Sequence, residues 1–347
     1  MELAKRLDGL PLALATAGTY LRQTADSFSD YLQLYHNSWN DLSQYNNGLL
    51  DYDGRTLYST WNISYQQIRD RDPSAAELIR LMAYFDNQDL WYELFQAGLD
   101  DKSLWWSEIV KNRARFNYAM SLLHDYSLVE IQAGNYSLHT CVHDWTMGFL
   151  NRIIDDKLCH LAIRCIGLSV KDNTEVEYWV RNRRLAQHVR RLEYSRIKAS
   201  IDWGSIRMTD LYRIAYLYNQ IGINAEAEAM YLRALQGYQK ARGAEHTSTL
   251  GMVNNLGILY RNQGKMAEAE AMYLRALQGK EKAWGAEHTS TLDTVNNLGN
   301  LYADQGKMAE AEAMYLRALQ GYENAVGADH PRTRVVARNL NALQTSS

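Results

Sequence analysis

Three prolines and three cysteines are few for 347 residues, and each shortage excludes something. Scarce proline leaves long helices uninterrupted and rules out an extended proline-rich architecture. Cys141, Cys159 and Cys165 are an odd set without C-x-x-C spacing, so neither a disulfide framework nor a structural zinc site is expected. Cys141 with His143, or Cys159 with His160, lacks the second ligand pair that zinc requires. Reduced thiols point to the cytoplasm. No signal-peptide pattern opens the chain and no apolar run is long enough to span a bilayer, so a membrane is not an expected partner. A formal charge of −3 predicts no broad affinity for nucleic acid. No G-x-x-x-x-G-K-[ST] run offers a phosphate cradle. No Ser–His–Asp or Cys–His ordering stands out, and Asp51, Asp53, Asp100 and Asp101 read as turn residues. The expectation is a non-catalytic chain with no cofactor and no bound metal.

What the chain does have is repetition. The segment AEAEAMYLRALQG starts at Ala225, Ala267 and Ala309, a period of 42 residues. Its surroundings repeat in phase: GAEHTSTL at Gly243 and Gly285 becomes GADHPRTR at Gly327, and VNNLG at Val253 and Val295 becomes ARNLN at Ala337. One period predicts a first helix over residues 248–262, with Leu256, Leu259 and Tyr260 on one face. Gly264 turns the backbone, as Gly222 and Gly306 do in the flanking copies. A second helix over residues 266–280 alternates small and large side chains at Ala269, Tyr273, Ala276 and Leu277, which suits close helix packing. Thr247 or Ser248 is the expected cap. A single hairpin cannot bury its apolar face, so the copies must stack. Leu340 and Leu343 are expected to cover the open end of the stack. His246, His288 and His330 cannot share an ion across helices about 8–10 Å apart, and read as loop or cap residues.

Gly257, Tyr260, Ala269, Tyr273 and Ala276 match the small/large signature of the tetratricopeptide repeat. The 42-residue length and the string NNLG…LY…QGKMAEAEAMYLRAL resemble kinesin light chain repeats in particular. Two copies match fully, an earlier one begins at Leu211 with Tyr212-Arg213 in place of the paired asparagines, and the last has only its first helix. The resemblance implies a right-handed α-solenoid whose first helices line a concave groove for an extended peptide. Residues at groove positions are Asn254, Asn255, Asn296 and Asn297, with Arg261, Asn262, Asn300 and Asp304 further along. Side-chain amides both donate to and accept from a peptide backbone. A competing reading has Asn255 and Asn297 bonding to a neighbouring loop and only holding the stack together.

The N-terminal part carries a second resemblance. The run LDGLPLALATAG, followed by helical patterns over residues 56–68 and 74–95, resembles the ARC region of NB-ARC and related STAND nucleotide switches. A strand pair is expected at residues 128–131 and 136–139. The run LHTCVHDWTMGFL that follows resembles the end of that family's winged helix, with Val142-His143-Asp144 at its MHD motif. The order of parts resembles fungal NLR-like proteins that have lost the P-loop subdomain. The resemblance implies Pro11 as an adenine-side contact and His143 with Asp144 as phosphate sensors. Against it stands a plain structural role, His143 opening a helix over residues 144–154. A DNA-recognition helix over residues 113–124 would use Arg113, Arg115 and Asn117, but its apolar face and a wing without basic residues argue against DNA.

The expected fold is therefore mainly α, with one small β-hairpin. Its expected parts are residues 1–50, ARC-like; 51–150, winged-helix-like; 151–207, a helical linker; and 208–347, the repeat array. Within the linker, residues 181–198 hold seven basic residues against Glu193. Arg184, Gln187, Arg191 and Tyr194 fall on one side, and Leu185, His188, Val189 and Leu192 on the other. A solvated face, or a contact with the acidic N-terminal part, fits this better than a phosphate site. Function is expected to be the binding of a protein or extended peptide, as the sensor part of an NLR-like signalling protein, with self-association through the near-identical repeats as a further partner mode. The rival is a truncated or split STAND switch that would hold ADP or ATP once completed by a P-loop domain.

Overall fold

The computed structural model describes residues 6–7, 10–45, 52–99, 104–171, 178–193, 197 and 201–345. Asp8 and Gly9 of the opening run, Asp51, Asp100 and Asp101, and Tyr194 and Lys198 of the basic segment lie outside the described residues. The chain divides into two units, Met1–Trp203 and Gly204–Ser347. The segments expected at 1–50 and 51–150 fall in the first unit, and the expected linker ends only a few residues into the second.

The first unit runs α1 (Pro11–Gln23), α2 (Phe28–Tyr45), α3 (Tyr52–Arg71), α4 (Pro73–Met82), β1 (Leu90–Trp91), α5 (Tyr92–Ala97), α6 (Leu104–Lys111) and α7 (Arg113–Asp125). It continues with β2 (Glu130–Gln132), β3 (Asn135–Ser137), α8 (Thr140–Trp145), a π turn (Thr146–Leu150), α9 (Asp156–Ser169) and α10 (Tyr178–Arg191). Local chemistry sets several of these ends. Pro11 and Pro73 sit in first turns, where a missing N–H costs nothing. Asp72 caps α4 by accepting from the Ser74 and Ala75 N–H groups. The core is aromatic: Trp61 and Trp145 lie 5.8 Å apart between ring centroids, and Phe95 meets Phe85, Trp106 and Phe116.

The first unit departs from three expectations. The single helix expected over residues 74–95 breaks into α4, a polar turn, β1 and α5. Asp89 takes a left-handed φ of 53° in that turn, which no helix accommodates. The expected strand pair is shorter, at Glu130–Gln132 and Asn135–Ser137, and is joined by β1 into an antiparallel sheet of order β1-β3-β2. Ala133 and Gly134 both have positive φ, as a tight hairpin turn demands. The helix expected to start at Asp144 instead begins at Thr140 and is capped by His139, whose Nδ1 accepts the Cys141 N–H at 3.3 Å. His143 is therefore in that helix's last turn.

The second unit is α11 (Met208–Gln220), α12 (Asn224–Arg242), α13 (Thr247–Asn262), α14 (Met266–Trp284), α15 (Thr289–Asp304), α16 (Met308–Val326) and α17 (Pro331–Thr345). Helices pair as hairpins α11–α12, α13–α14 and α15–α16, each second helix then packs on the next first helix, and the first helices also touch one another in a row. Gly264, with φ of 75°, makes the turn inside its hairpin. The expected tyrosine and alanine positions are core: Ala269 and Tyr273 pack with Leu298 and Leu301. Helix approach is closest where glycine faces a large ring, and a Cβ on Gly257 would lie 2.6 Å from the Tyr273 ring. Leu340 and Leu343 of α17 are buried in one cluster with Leu292, Tyr315 and Tyr322. The cap residues are the histidines and not Thr247 or Ser248. The His246 Nδ1 accepts the Ser248 N–H at 3.1 Å, and His288 and His330 repeat the contact on Ser290 and Arg332. The threonines serve elsewhere: Thr249, Thr291 and Thr333 each donate to the carbonyl of the preceding loop glycine.

Candidate functional site

The row of first helices α11, α13, α15 and α17 brings the expected groove residues together. Several side-chain bonds run diagonally between neighbouring first helices and join residues 43 positions apart. Asn255 Nδ2 donates to Tyr212 Oη at 2.7 Å, Asn297 Nδ2 to Asn254 Oδ1 at 3.2 Å, and Asn339 Nδ2 to Asn296 Oδ1 at 3.3 Å. Lower in the row Asn262 Nδ2 donates to Asn219 Oδ1 at 3.3 Å, and Arg261 Nε to Asp304 Oδ2 at 2.6 Å. Asn300 Oδ1 accepts from Tyr315 Oη at 2.8 Å and from Asn339 at 3.2 Å. The second asparagines thus hold the stack through the adjacent first helix and not through a loop.

The ladder does not spend every polar atom. Asn297 keeps Oδ1, Asn296 and Asn300 keep Nδ2, and Asn262 keeps Oδ1 without a protein partner among the described residues. These four side chains are half-buried or exposed and offer acceptors and donors along one row. Asn254 differs. It is 7% exposed, its Oδ1 accepts from both Asn297 and Thr294, and its Nδ2 donates to Asn255. Its amide faces its neighbours in the protein.

The sequence pattern alone does not reveal Lys280. It occupies the place of Tyr238 and Tyr322 in the other copies, is 3% exposed, and donates from Nζ to Thr294 Oγ1 at 2.9 Å and the Ser290 carbonyl at 3.0 Å. Burial pushes its amine down to about 8, with Asp293 opposing the shift. The signal that could have found it is the departure from the period, a lysine where two copies carry tyrosine.

The other residues singled out from the sequence belong to the first unit. Pro11 is exposed at the start of α1. A cavity of about 480 Å³ lies beside that helix, lined by Leu12, Thr19, Arg22, His124 and His139 among others, and neither Pro11 nor His143 borders it. His143 is buried and its Nε2 lies 2.9 Å from the Phe85 carbonyl. A carbonyl only accepts, so Nε2 carries the proton. Burial, and secondarily Arg191, lowers the ring's pKa and keeps it neutral. In that form its single N–H is spent on Phe85, and Nδ1 has no proton to offer a phosphate. Asp144 is exposed, 4.0 Å from Nδ1.

The basic helix α10 grips the turn before β1. Arg184 donates to both Asp89 carboxylate oxygens at 2.8 and 2.6 Å and stacks over Trp91 at 4.0 Å, while His188 Nε2 meets the Asp89 carbonyl at 3.2 Å. Leu185, His188, Val189 and Leu192 are buried, the face expected to be apolar. On α7, Arg113 pairs with Glu93, Arg115 with Asp72, and Asn117 accepts from Tyr136. Arg113 and Arg115 are thus each paired with an acid of this chain. Among the described residues no cluster of three metal-ligating side chains occurs, and no helix is long and apolar enough to cross a membrane.

Stacked helical hairpins with a polar row along their first helices define a repeat scaffold. The tetratricopeptide repeat family matches residues 207–282 and 291–332, so the second unit carries tetratricopeptide repeats. Repeats of this kind generally bind proteins or peptides and are generally not catalytic. Among curated proteins none matches the chain. Among solved structures the chain is similar to BtubC (BKLC) from P. vanneervenii at 21% identity, over 58% of this chain and 77% of that one, with a TM-score of 0.40. It is similar to a putative kinesin light chain with nearly identical repeats from Podospora anserina at 18% identity, over 48% and 79%, with a TM-score of 0.38. A STAND protein with a tetratricopeptide repeat sensor from Pyrococcus horikoshii is similar at 13% identity, over 97% of this chain and 57% of that one, with a TM-score of 0.27.

Proposed function

We propose that the second unit captures an extended segment of a partner protein along the concave row of its first helices. The observation that carries this is the set of amide groups left over by the ladder, acceptors at Asn297 and Asn262 and donors at Asn296 and Asn300. An extended backbone exposes donors and acceptors in alternation, and such a row can bond both. Arg261 and Asp304, already paired, bound one end of the row. Around this core stands a wider reading, in which the chain is the sensor part of an NLR-like signalling protein in the cytoplasm. The GLPL and VHD runs support it, as does the hairpin β2–β3 between helix α7 and the VHD run. Three free thiols suit a reducing compartment. Self-association through the repeats belongs to the same reading.

A photoreactive residue placed at Asn300 tests the groove, with the same residue at Ala271, exposed on the second helix α14, as the comparison. Crosslinks to one partner segment from position 300 and not from 271 are expected, and Asn296→Ala with Asn297→Ala should remove them. Equal labelling from both faces would refute the assignment.

A further inference from the structure

The three copies act as internal controls for one another, and two departures from the period coincide in space. Lys280 replaces the tyrosine of Tyr238 and Tyr322, and Thr294 replaces the apolar residue of Met252 and Val336. The two meet at 2.9 Å inside the array. An ammonium is a donor only, with three protons and no lone pair. It occupies the Thr294 oxygen and the Ser290 carbonyl. The hydroxyl proton of Thr294 then has its nearer acceptor in Asn254 Oδ1 at 3.1 Å, against 3.4 Å for the Ser290 carbonyl already in use.

That choice propagates. Asn254 must turn its oxygen toward Thr294 and its NH2 toward Asn255, 3.2 Å away. Asn297 can then meet Asn254 Oδ1 only with its own NH2, which leaves Asn297 Oδ1 to the groove. A neutral Lys280 has a lone pair, could accept the Thr294 proton, and would release this order.

We propose that Lys280 is a positioning residue of the groove, whose ammonium acts through Thr294 and Asn254 to fix Asn297 as an acceptor for a backbone N–H of the bound segment. The proposal rests on the groove reading above, but its chemistry is visible in the free protein. The charged group acting on Lys280 is Asp293 of α15, itself bonded to Tyr322 of α16 and Arg332 of α17. From α13 comes the uncharged Asn254. With the amine titrating near 8, the switch from donor to acceptor falls in an accessible pH range.

The test is nuclear magnetic resonance of the whole chain with labelled asparagine side chains, followed between pH 6.5 and 9.5 without any ligand. The Asn254 and Asn297 NH2 signals should move together with a midpoint near 8. Exchange of the Asn297 NH2, taken relative to Asn262, should be about two- to tenfold slower below the midpoint than above it, the worth of one hydrogen bond. Asn262 is the reference because its partner Asn219 is outside the Lys280 chain. Lys280→Met should abolish the midpoint, whereas Lys280→Arg should hold the low-pH signals across the range. Lys280→Tyr with Thr294→Val, which restores side chains the other copies accommodate, repeats the test in a background free of an unfilled cavity. Signals that stay fixed in the natural protein, or a midpoint that survives in either lysine-free variant, would overturn the proposal. Because no partner is added, a failed partner capture and a failed titration are separate results.

Discussion

Gly257 and Gly251 lie on the same helix, and replacing each by alanine should give opposite results. Both variants gain helix propensity, up to about 1 kcal/mol each. At Gly251 the new methyl meets nothing within 4 Å, so the gain stands. At Gly257 it lies 2.6 Å from Tyr273 Cε1 and 2.7 Å from Cδ1, whereas ordinary contact begins at 3.4 Å. The ring would have to retreat by roughly 0.8 Å, and it is 1% exposed with Leu298 and Leu301 behind it. Overpacking of this kind costs about 1–3 kcal/mol. Because the propensity term is common to both, the difference between the variants is the packing cost alone, about 5- to 150-fold in the local opening equilibrium. Amide hydrogen exchange in α13 and α14 of the full chain reads that equilibrium directly. Protection should rise in Gly251→Ala and fall in Gly257→Ala. Equal protection in the two would refute the idea that glycine is there to admit the tyrosine ring.

Further outcomes follow from the caps, the buried histidines and the engaged His143. His246→Ala should cost the second unit about 1 kcal/mol, seen as faster exchange at the start of α13, and His246→Asn should restore it. His188 is held neutral with its pKa lowered to about 4, and His143 is lowered as well, both chiefly by burial. The unfolded chain therefore binds more protons below about 6.5, so the first unit should lose stability as pH falls from 6.5 toward 4, by up to tenfold in the folding equilibrium per pH unit from His188, with His143 acting in the same direction. Urea unfolding at pH 7, 6 and 5 checks this, and His188→Gln should flatten part of the slope. ADP or ATP with Mg²⁺ should leave the melting temperature unchanged, because the N–H of His143 is committed to Phe85; a rise would reveal a nucleotide site.

The repeat array was legible because its information is local and periodic. The helix expected at residues 248–262 is Thr247–Asn262, and the one expected at 266–280 runs on to Trp284. Turn glycines and the Tyr273–Ala276 core were readable for the same reason. The first unit was harder wherever an element depends on a distant partner. Leu90 and Trp91 form a strand only because Asn135 and Tyr136 lie opposite them, and within LWYELF they read as helix. The groove shows both limits. Periodicity placed Asn254 and Asn297 in one row, but Thr294, 40 residues beyond Asn254, is what turns Asn254 inward. Recurrence marks the periodic residues and is blind to Lys280, which stands once where the other copies carry tyrosine.

The diagonal ladder also bears on how such a chain can change in length. Its bonds join a residue to the one 43 positions later, one step more than the 42-residue period. Removing or duplicating one whole period therefore rejoins equivalent asparagines, and the bonding rule survives the edit. The groove can therefore be lengthened or shortened by whole periods without redesign. The Lys280–Thr294 pair is the exception. Lys280 and Thr294 are 14 positions apart, and an exchange falling between them separates the two and leaves either a buried ammonium or a buried hydroxyl without its counterpart. Length is thus free to drift in this array, while the one place where its polarity is anchored is not.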